Sequence, residues 1–210
     1  MTFPEITFAN VLDYIGTLAF AISGIRLAST KRFDWFGAYV VGLATAIGGG
    51  TVRDLLLDVP VFWMRNGIYF LITLLALLLV VLFGKVVVRQ KYTWFIFDTI
   101  GLGMFAVIGI EKTLGVGYPF WVAIVMGSVT GAGGGVIRDV FLNEVPLIFR
   151  AEIYAVACVL GGLAYWACHL CGWGNVSCGL VCGSVVILSR VLAVRYQINL
   201  PTLQDSDECA

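Results

Sequence analysis

The sequence predicts an all-α integral membrane protein with seven transmembrane helices, built from two inverted three-helix repeats plus a seventh helix. Composition is the first observation behind this fold class. Of the 210 residues, 60% are hydrophobic and only 12% are charged, which is about half the charged fraction of a soluble domain. The other two observations are uncharged runs long enough to span a membrane and an internal repeat.

The uncharged runs define the spans. Residues 35–52, 66–84 and 113–137 are free of charge over 18, 19 and 25 residues, and roughly 18 apolar residues indicate a transmembrane helix. Residues 153–189 contain no acidic residue, Lys or Arg over 37 positions. They are expected to cross twice, with a turn at 172–175, where glycine accepts a tight bend. The predicted spans are residues 7–27, 33–57, 66–84, 94–112, 117–142, 152–171 and 175–195.

The distribution of basic residues predicts the orientation. No basic region precedes the first apolar stretch, so we expect no cleavable signal peptide. With seven spans, three Lys and Arg residues fall on the side of the N-terminus and ten on the other side. Because cytoplasmic loops are enriched in basic residues, we expect the N-terminus outside and residues 196–210 to be a short cytoplasmic tail.

The chain aligns with itself at an offset of 85 residues. Residues 13–24 share six of twelve identities with residues 98–109. The predicted units are repeat one at 7–84 and repeat two at 94–171, followed by the seventh span at 175–195. Since each repeat has an odd number of spans, the second enters the membrane from the opposite side. Inverted repeats of this kind are typical of transport proteins.

Each repeat carries a glycine triplet in its second span. Consecutive glycines cost roughly 1 kcal/mol each in a helix, so we expect a kinked or unwound turn whose carbonyls face an ion pathway shared by spans two and five. Close helix packing is the alternative. Nearby hydroxyls either line the path or bond to their own helix. The predicted pathway residues are Gly48, Gly49, Gly50, Gly133, Gly134, Gly135, Thr45, Ser128 and Thr130.

An Arg-Asp pair follows each triplet. A charge at membrane depth is costly unless it is paired or reaches water, so we expect the arginines to be neutralised by carboxylates across the repeat. The alternatives are snorkelling at the span ends and, for the two early acids, capping of helix starts. The residues of this predicted charge network are Arg53, Asp54, Arg138, Asp139, Asp13 and Asp98.

The sequence contains few residues of the kind that form enzyme active sites. The single histidine, His169, has no catalytic partners around it, so we expect no enzyme activity and no cofactor. The zero net charge disfavours nucleic-acid binding. Cys168 and Cys171 flank that histidine, but a free cysteine in an apolar helix usually behaves as a small hydrophobe. Metal binding is therefore not expected, and a disulfide among Cys168, Cys171 and Cys178 is left open.

The doubled motif Gly48-Gly-Gly-Thr-Val-Arg53-Asp54 and Gly133-Gly-Gly-Val-Ile-Arg138-Asp139 resembles that of the prokaryotic trimeric intracellular cation (TRIC) channels. This family is also labelled glycine transporter domain. The resemblance covers residues 7–195. It implies a homotrimer in which every protomer has its own pore, bounded by spans two and five, with the six glycines as matching pore residues.

The resemblance further implies conduction of monovalent cations, K⁺ and Na⁺, in a bacterial inner membrane, where lipids and these cations are the partners. A secondary transporter of a small zwitterion such as glycine is the alternative function. The Lys-Glu-Val motif of the eukaryotic members is absent from this chain, so their lipid regulation is not carried over.

Overall fold

A computed structural model describes residues 7–83, 93–150 and 153–200. Over this part of the chain the structure is helical, with short connections between helices. The helices are α1 (Phe8–Thr30), α2 (Trp35–Leu56), α3 (Phe62–Arg65), α4 (Ile68–Leu82), α5 (Thr93–Gly115), α6 (Phe120–Phe141), a 3-10 turn (Leu147–Phe149), α7 (Ala155–Leu170) and α8 (Asn175–Arg195).

Seven of the described helices have at least 15 residues, and each lies within a few residues of a predicted span. Five of them, α1, α2, α5, α6 and α8, are long and apolar enough to cross a membrane. Helices α4 and α7 are apolar but have only 15 and 16 residues. The all-helical membrane fold is therefore confirmed, whereas the count of seven crossings stays a prediction. The basic cluster at Lys85, Arg89 and Lys91 falls outside the described residues.

Local sequence signals set the helix ends. The Thr7 side chain accepts a hydrogen bond from the backbone N–H of Asn10 at 3.4 Å, and Asp34 accepts one from Gly37 at 2.6 Å. These side chains cap α1 and α2 by satisfying backbone donors that have no partner within the helix. Just beyond α2 and α6, Asp58 and Asn143 have positive φ angles of 54° and 53°. The same left-handed cap therefore ends the equivalent helix of both repeats.

The 85-residue offset is visible in the helices themselves. Helices α1 and α5 both have 23 residues and start 85 positions apart, at Phe8 and Thr93. Helices α2 and α6 both have 22 residues and start at Trp35 and Phe120, again 85 positions apart. At the centre, α1 packs against α5 and α2 against α6, while α8 covers α5 and α7.

The two repeats run in opposite directions. Asp13, near the start of α1, lines a cavity together with Lys112, near the end of α5. In the second half of α1, the Ser23 hydroxyl donates to the carbonyl of Trp94 at the start of α5, at 3.3 Å. The start of α1 therefore lies beside the end of α5, and the second half of α1 lies beside the start of α5. The inverted arrangement predicted from the repeat is what the packing shows.

The predicted unwound turn at the glycine triplets is wrong. Helices α2 and α6 are continuous through Gly48–Gly50 and Gly133–Gly135. A Cβ on Gly49 would overlap the carbonyl oxygen of Thr130. A Cβ on Gly134 would overlap the carbonyl oxygen of Thr45. The glycines thus let the two helix backbones touch, which is the close-packing alternative, and bending of either helix axis stays a prediction.

Candidate functional site

Asp54, at the end of α2, is the centre of a first charge cluster. Its carboxylate accepts hydrogen bonds from Arg53 Nε at 2.8 Å and from Lys112 Nζ at 2.8 and 2.9 Å. The backbone N–H of Phe62 donates to its second oxygen at 3.0 Å. Asp54 is fully buried, whereas 31% of the Lys112 side chain is exposed. A buried carboxylate with two cations and a backbone donor is fully compensated.

Asp13 completes this first cluster but is not bonded to an arginine. Its carboxylate instead accepts a hydrogen bond from the Tyr69 hydroxyl of α4. The expected pairing of Asp13 with an arginine is therefore not found among the described residues, because the tyrosine occupies the carboxylate. A cavity of about 370 Å³ opens beside it and is also lined by Arg53, Glu111 and Lys112.

A second cluster lies at the other end of the bundle. The Asp139 carboxylate accepts hydrogen bonds from Arg138 Nε at 2.8 Å and from the backbone N–H of Leu147 at 3.1 Å. Arg138 Nη1 also donates to Asp98 and, at 3.0 Å, to the Ser23 hydroxyl. Arg138 and Asp98 are completely buried. The arginine is thus held between two carboxylates and a hydroxyl inside the bundle.

Helix α8 adds a second arginine to this cluster. Arg190 Nη2 lies 3.9 Å from Asp98 Oδ2, and Arg190 Nη1 donates to the carbonyl of Ile153 at 3.2 Å. Its guanidinium also faces the rings of Tyr154 and Phe95, at 4.7 and 5.1 Å from their centroids. These contacts compensate a cation that is fully buried.

Three bonds recur at equivalent positions of the two clusters, including the bond between the adjacent Arg and Asp of each motif. Phe62 and Leu147 donate their backbone N–H groups to an aspartate eight positions earlier in each repeat. Tyr69 and Tyr154, which are 85 positions apart, both donate to the early aspartate of their repeat, the second at 3.5 Å. The two tyrosines also match at the 85-residue offset, and this match is the sequence signal that could have identified them.

The arginines differ from the prediction in one respect. We expected neutralisation across the repeats, yet Arg53 and Arg138 each bond the aspartate that follows them in their own repeat. Adjacent positions in the last turn of the helix are close enough for this contact. The described bonds that join the two repeats in these clusters come from Lys112 and from Ser23. The residues that sequence reasoning missed are Ser23, Phe62, Tyr69, Lys112, Tyr154 and Arg190.

The predicted hydroxyls bond within their own helices. Thr45 donates to the Val41 carbonyl and Thr130 to the Met126 carbonyl, both at 2.6 Å. Ser128 donates to the Ile124 carbonyl at 3.0 Å. This is the back-bonding alternative for Ser and Thr in apolar helices. Their role as pathway residues remains a prediction.

The remaining triplet glycines are in contact on several sides. A Cβ on Gly48 would meet the tip of Ile137, and one on Gly50 would meet the Phe62 ring. A Cβ on Gly135 would overlap the Tyr154 hydroxyl. A Cβ on Gly133 would lie 3.1 Å from Gly49 Cα. The triplets therefore form a dense crossing between the two charge clusters.

A second cavity, of about 200 Å³, lies at the end of the bundle that holds the second cluster. Arg138 and Asp139 line it, together with Lys31, Glu144 and Arg150 from the connections. Lys31 Nζ donates to Glu144 at 2.6 Å. This hydrogen bond and the positive charges of Lys31 and Arg150 lower the pKa of Glu144 from its ordinary value.

Five cysteines lie in the described part of the chain, and all of them are free thiols. They include Cys168, Cys171 and Cys178, for which a disulfide was left open. Within the same residues, no group of three or more His, Cys, Asp or Glu side chains is arranged to hold a metal ion.

An inverted pair of three-helix repeats, packed at a glycine crossing between two buried charge clusters, is the architecture of an all-helical integral membrane protein. The family model described as glycine transporter matches the chain twice, at residues 10–85 and 95–170. The chain belongs to this family. Together with the solved structures of TRIC channels below, this match confirms the resemblance to the prokaryotic TRIC channels.

Relatives and solved structures agree with the family assignment. The chain is 39% identical over 198 residues to the UPF0126 inner membrane protein YadS of Escherichia coli (91% of this chain, 94% of YadS). It is 40% identical over 196 residues to the UPF0126 membrane protein YvgT of Bacillus subtilis (91% and 95%). The TRIC trimeric intracellular cation channel orthologue from Rhodobacter sphaeroides superimposes with a TM-score of 0.86 at 33% identity, covering 92% of this chain and 100% of that one. A TRIC channel from C. elegans, 16% identical, shares the fold with a TM-score of 0.59.

Proposed function

We propose that the protein is a monovalent cation channel that passes K⁺ and Na⁺ through a path inside each protomer. The observation that carries this proposal is the placement of the glycine crossing between two cavities at opposite ends of the bundle, each lined by members of one charge cluster. The solved neighbours described as TRIC cation channels support it at 33% and 31% identity.

In this proposal the first cavity is the place where a cation enters. Asp13 and Glu111 line it together with the cations Arg53 and Lys112, and the buried Asp54 beside it bonds both cations. If all five are ionised, the excess of one negative charge favours a cation over an anion by its sign alone. Because Asp54 is already paired with both cations, Asp13 and Glu111 are the lining carboxylates that account for this excess.

The glycine crossing is the barrier of the proposed path. Backbones in contact at Gly49 and Gly134 leave no room for an ion, so conduction requires α2 and α6 to separate. Such a movement exposes carbonyl oxygens and no bulky side chain, since both contact positions lack one. Backbone carbonyls are the groups that replace the hydration shell of monovalent cations in selective pores. We therefore assign the six triplet glycines, with Thr45, Ser128 and Thr130, to the pathway.

The test is ion flux in proteoliposomes that contain the purified protein. We expect K⁺ and Na⁺ currents with resolvable single-channel steps. We expect Gly49→Leu and Gly134→Leu to reduce the current to that of empty liposomes. Gly67→Leu is the matched control, because Gly67 is exposed and a Cβ there meets no atom within 4 Å. Unchanged current in either leucine variant would show that the crossing is not part of the path.

A secondary transporter of a small zwitterion is the second candidate, favoured by the description of the matching family model as glycine transporter. It uses the same crossing but never opens to both sides at once. Saturable uptake of radiolabelled glycine with counterflow and without current steps, measured in the same liposomes, would replace the channel proposal by this one.

The same comparisons support a proposal for the assembly and the location. We propose a homotrimer with one path in each protomer, since solved neighbours are described as trimeric cation channels. We place it in the bacterial inner membrane, as for the relative YadS, with the N-terminus outside and the C-terminus in the cytoplasm. Native mass spectrometry of the detergent-solubilised protein tests the trimer. Labelling of single cysteines introduced at the two termini tests the orientation.

A further inference from the structure

A third cavity, of about 320 Å³, lies apart from the glycine crossing. Helices α5, α6, α7 and α8 meet around it, and it is lined by Glu111, Leu114, Gly115, Phe120, Tyr165, His169 and Asn175. Its volume is at the lower end of the range for small-molecule sites. Five of its lining residues are at or next to helix ends, so the cavity lies at the end of the bundle where α1 begins.

Glu111 is the acidic group of this cavity. Its Oε1 is buried and has no hydrogen-bond partner in the described part of the chain. The side chain extends towards Gly179 of α8, where a Cβ would lie 3.3 Å from Oε1. A buried carboxylate oxygen without a donor costs free energy. A bound donor would remove this cost.

The repeat does not account for this carboxylate. The equivalent position in repeat one, 85 residues earlier, is Arg26, which donates to the Ser29 hydroxyl at 3.3 Å. Glu111 therefore has the opposite charge to its counterpart, unlike the aspartates and arginines of the two clusters, which keep their identity. The carboxylate is therefore specific to repeat two, where it lines both this cavity and the first one.

Aromatic rings form the wall beside the carboxylate. The Phe120 ring centroid lies 5.0 Å from that of His169 and 6.4 Å from that of Tyr165. Aromatic faces attract organic cations. Hard inorganic cations need several oxygen ligands, and the described residues offer no cluster of three or more His, Cys, Asp or Glu here. One carboxylate acceptor beside aromatic faces fits an alkylammonium group better than a metal ion.

We propose that this cavity binds a primary ammonium group, which donates to the Glu111 carboxylate while its alkyl part packs on Phe120 and Tyr165. A soluble amine and the ethanolamine headgroup of a lipid carry the same chemistry, and both can reach the end of the bundle. A quaternary ammonium has no N–H and therefore cannot donate to the carboxylate. The site therefore prefers primary over quaternary ammonium ions of similar size.

The test is binding of ethylammonium and of tetramethylammonium to the purified full-length protein in phosphatidylcholine nanodiscs, by isothermal calorimetry. We expect ethylammonium to bind at least about tenfold more tightly, since it alone forms a hydrogen bond to a charged acceptor. Glu111→Gln should weaken ethylammonium binding by at least about tenfold. Glu144→Gln, which removes an exposed carboxylate at the other end of the bundle, should leave it unchanged.

Equal affinity for the two ions, or equal binding by the wild type and Glu111→Gln, would overturn the proposal. If Glu111→Gln does not fold, Phe120→Leu provides the second variant. It removes the aromatic face and should weaken ethylammonium binding severalfold, whereas unchanged binding contradicts the assigned wall.

Nanodiscs that contain phosphatidylethanolamine separate the two sources of the ammonium group. If the lipid headgroup is the occupant, these nanodiscs block ethylammonium binding to the wild type. If a soluble amine is the occupant, ethylammonium binds equally in both lipid mixtures.

Discussion

The two charge clusters occupy equivalent places in the two repeats, yet they are closed to different degrees. In the first, Lys112 remains 31% exposed beside a cavity. In the second, Arg138, Asp98 and Arg190 are all completely buried. The exposed member of the first cluster is Lys112, which comes from the other repeat, whereas α8 supplies the buried Arg190 to the second cluster and has no counterpart in repeat one. A symmetric framework thus holds one partly exposed and one more deeply buried charge cluster.

The glycine crossing is common to both halves, and changing it should have the largest effect. Gly49→Ala and Gly134→Ala each place a Cβ on a backbone carbonyl of the opposite helix. Neither backbone can move aside cheaply, so we expect a loss of about 1–3 kcal/mol in stability together with loss of flux. Thermal unfolding of each variant in detergent, beside liposome currents, measures both effects.

Gly48→Ala is the matched comparison within the same triplet, because its Cβ meets only the flexible end of Ile137. Its effect should be clearly smaller than that of Gly49→Ala. Similar losses for the two variants would mean that the crossing is not centred on Gly49. A pure scaffold without transport would show changes in stability alone.

The second prediction compares the more deeply buried cluster with the partly exposed one. Asp98→Asn removes the carboxylate charge that lies beside the buried Arg138 and Arg190. Removing one partner of a buried ion pair costs about 3–5 kcal/mol. Asp13→Asn should cost about 1 kcal/mol or less, since the amide oxygen still accepts from Tyr69. Thermal unfolding of both variants checks this order, and equal costs would contradict the difference in closure.

The third prediction compares the equivalent tyrosines. Tyr69→Phe removes the hydroxyl that donates to Asp13, and we expect a loss of about 1 kcal/mol. Tyr154→Phe removes a longer bond of 3.5 Å to an aspartate that keeps its arginines, so its cost should be smaller. The same unfolding assay distinguishes the two variants. A larger loss of stability for Tyr154→Phe would contradict the inference that the Tyr69 hydroxyl makes the stronger hydrogen bond.

The smallest effect concerns the surface pair of Lys31 and Glu144 at the end of the bundle that holds the second cluster. The lowered pKa of Glu144 means that the folded state binds its proton less readily than the unfolded chain does. Its small stabilisation is present above the ordinary carboxyl pKa and is lost as the pH falls through the folded value. Glu144→Gln should flatten this part of the curve of melting temperature against pH. An unaltered curve would exclude the Lys31–Glu144 pair as the source of this pH dependence.

Sequence reasoning predicted the helices, the repeat and its inversion because hydropathy and self-similarity depend on local or periodic patterns. It misjudged the triplets, since a glycine needed for a broken turn and a glycine needed for a close crossing look alike in one sequence. Lys112 was counted only as a marker of topology. Arg190 was not predicted because α8 lies outside the repeat, so the self-comparison of the sequence offers no equivalent residue.

The contact between Gly49 and Gly134 also bears on synthesis of the protein. The two residues are separated by 85 positions along the chain, and a ribosome adds about 5–20 residues per second. Helix α2 must therefore wait for about 4–17 seconds before its partner exists, with its smallest and most closely packed face still uncovered. During that interval repeat one is an intermediate whose final neighbour has yet to be translated, and its glycine face is open to any other helix in the membrane.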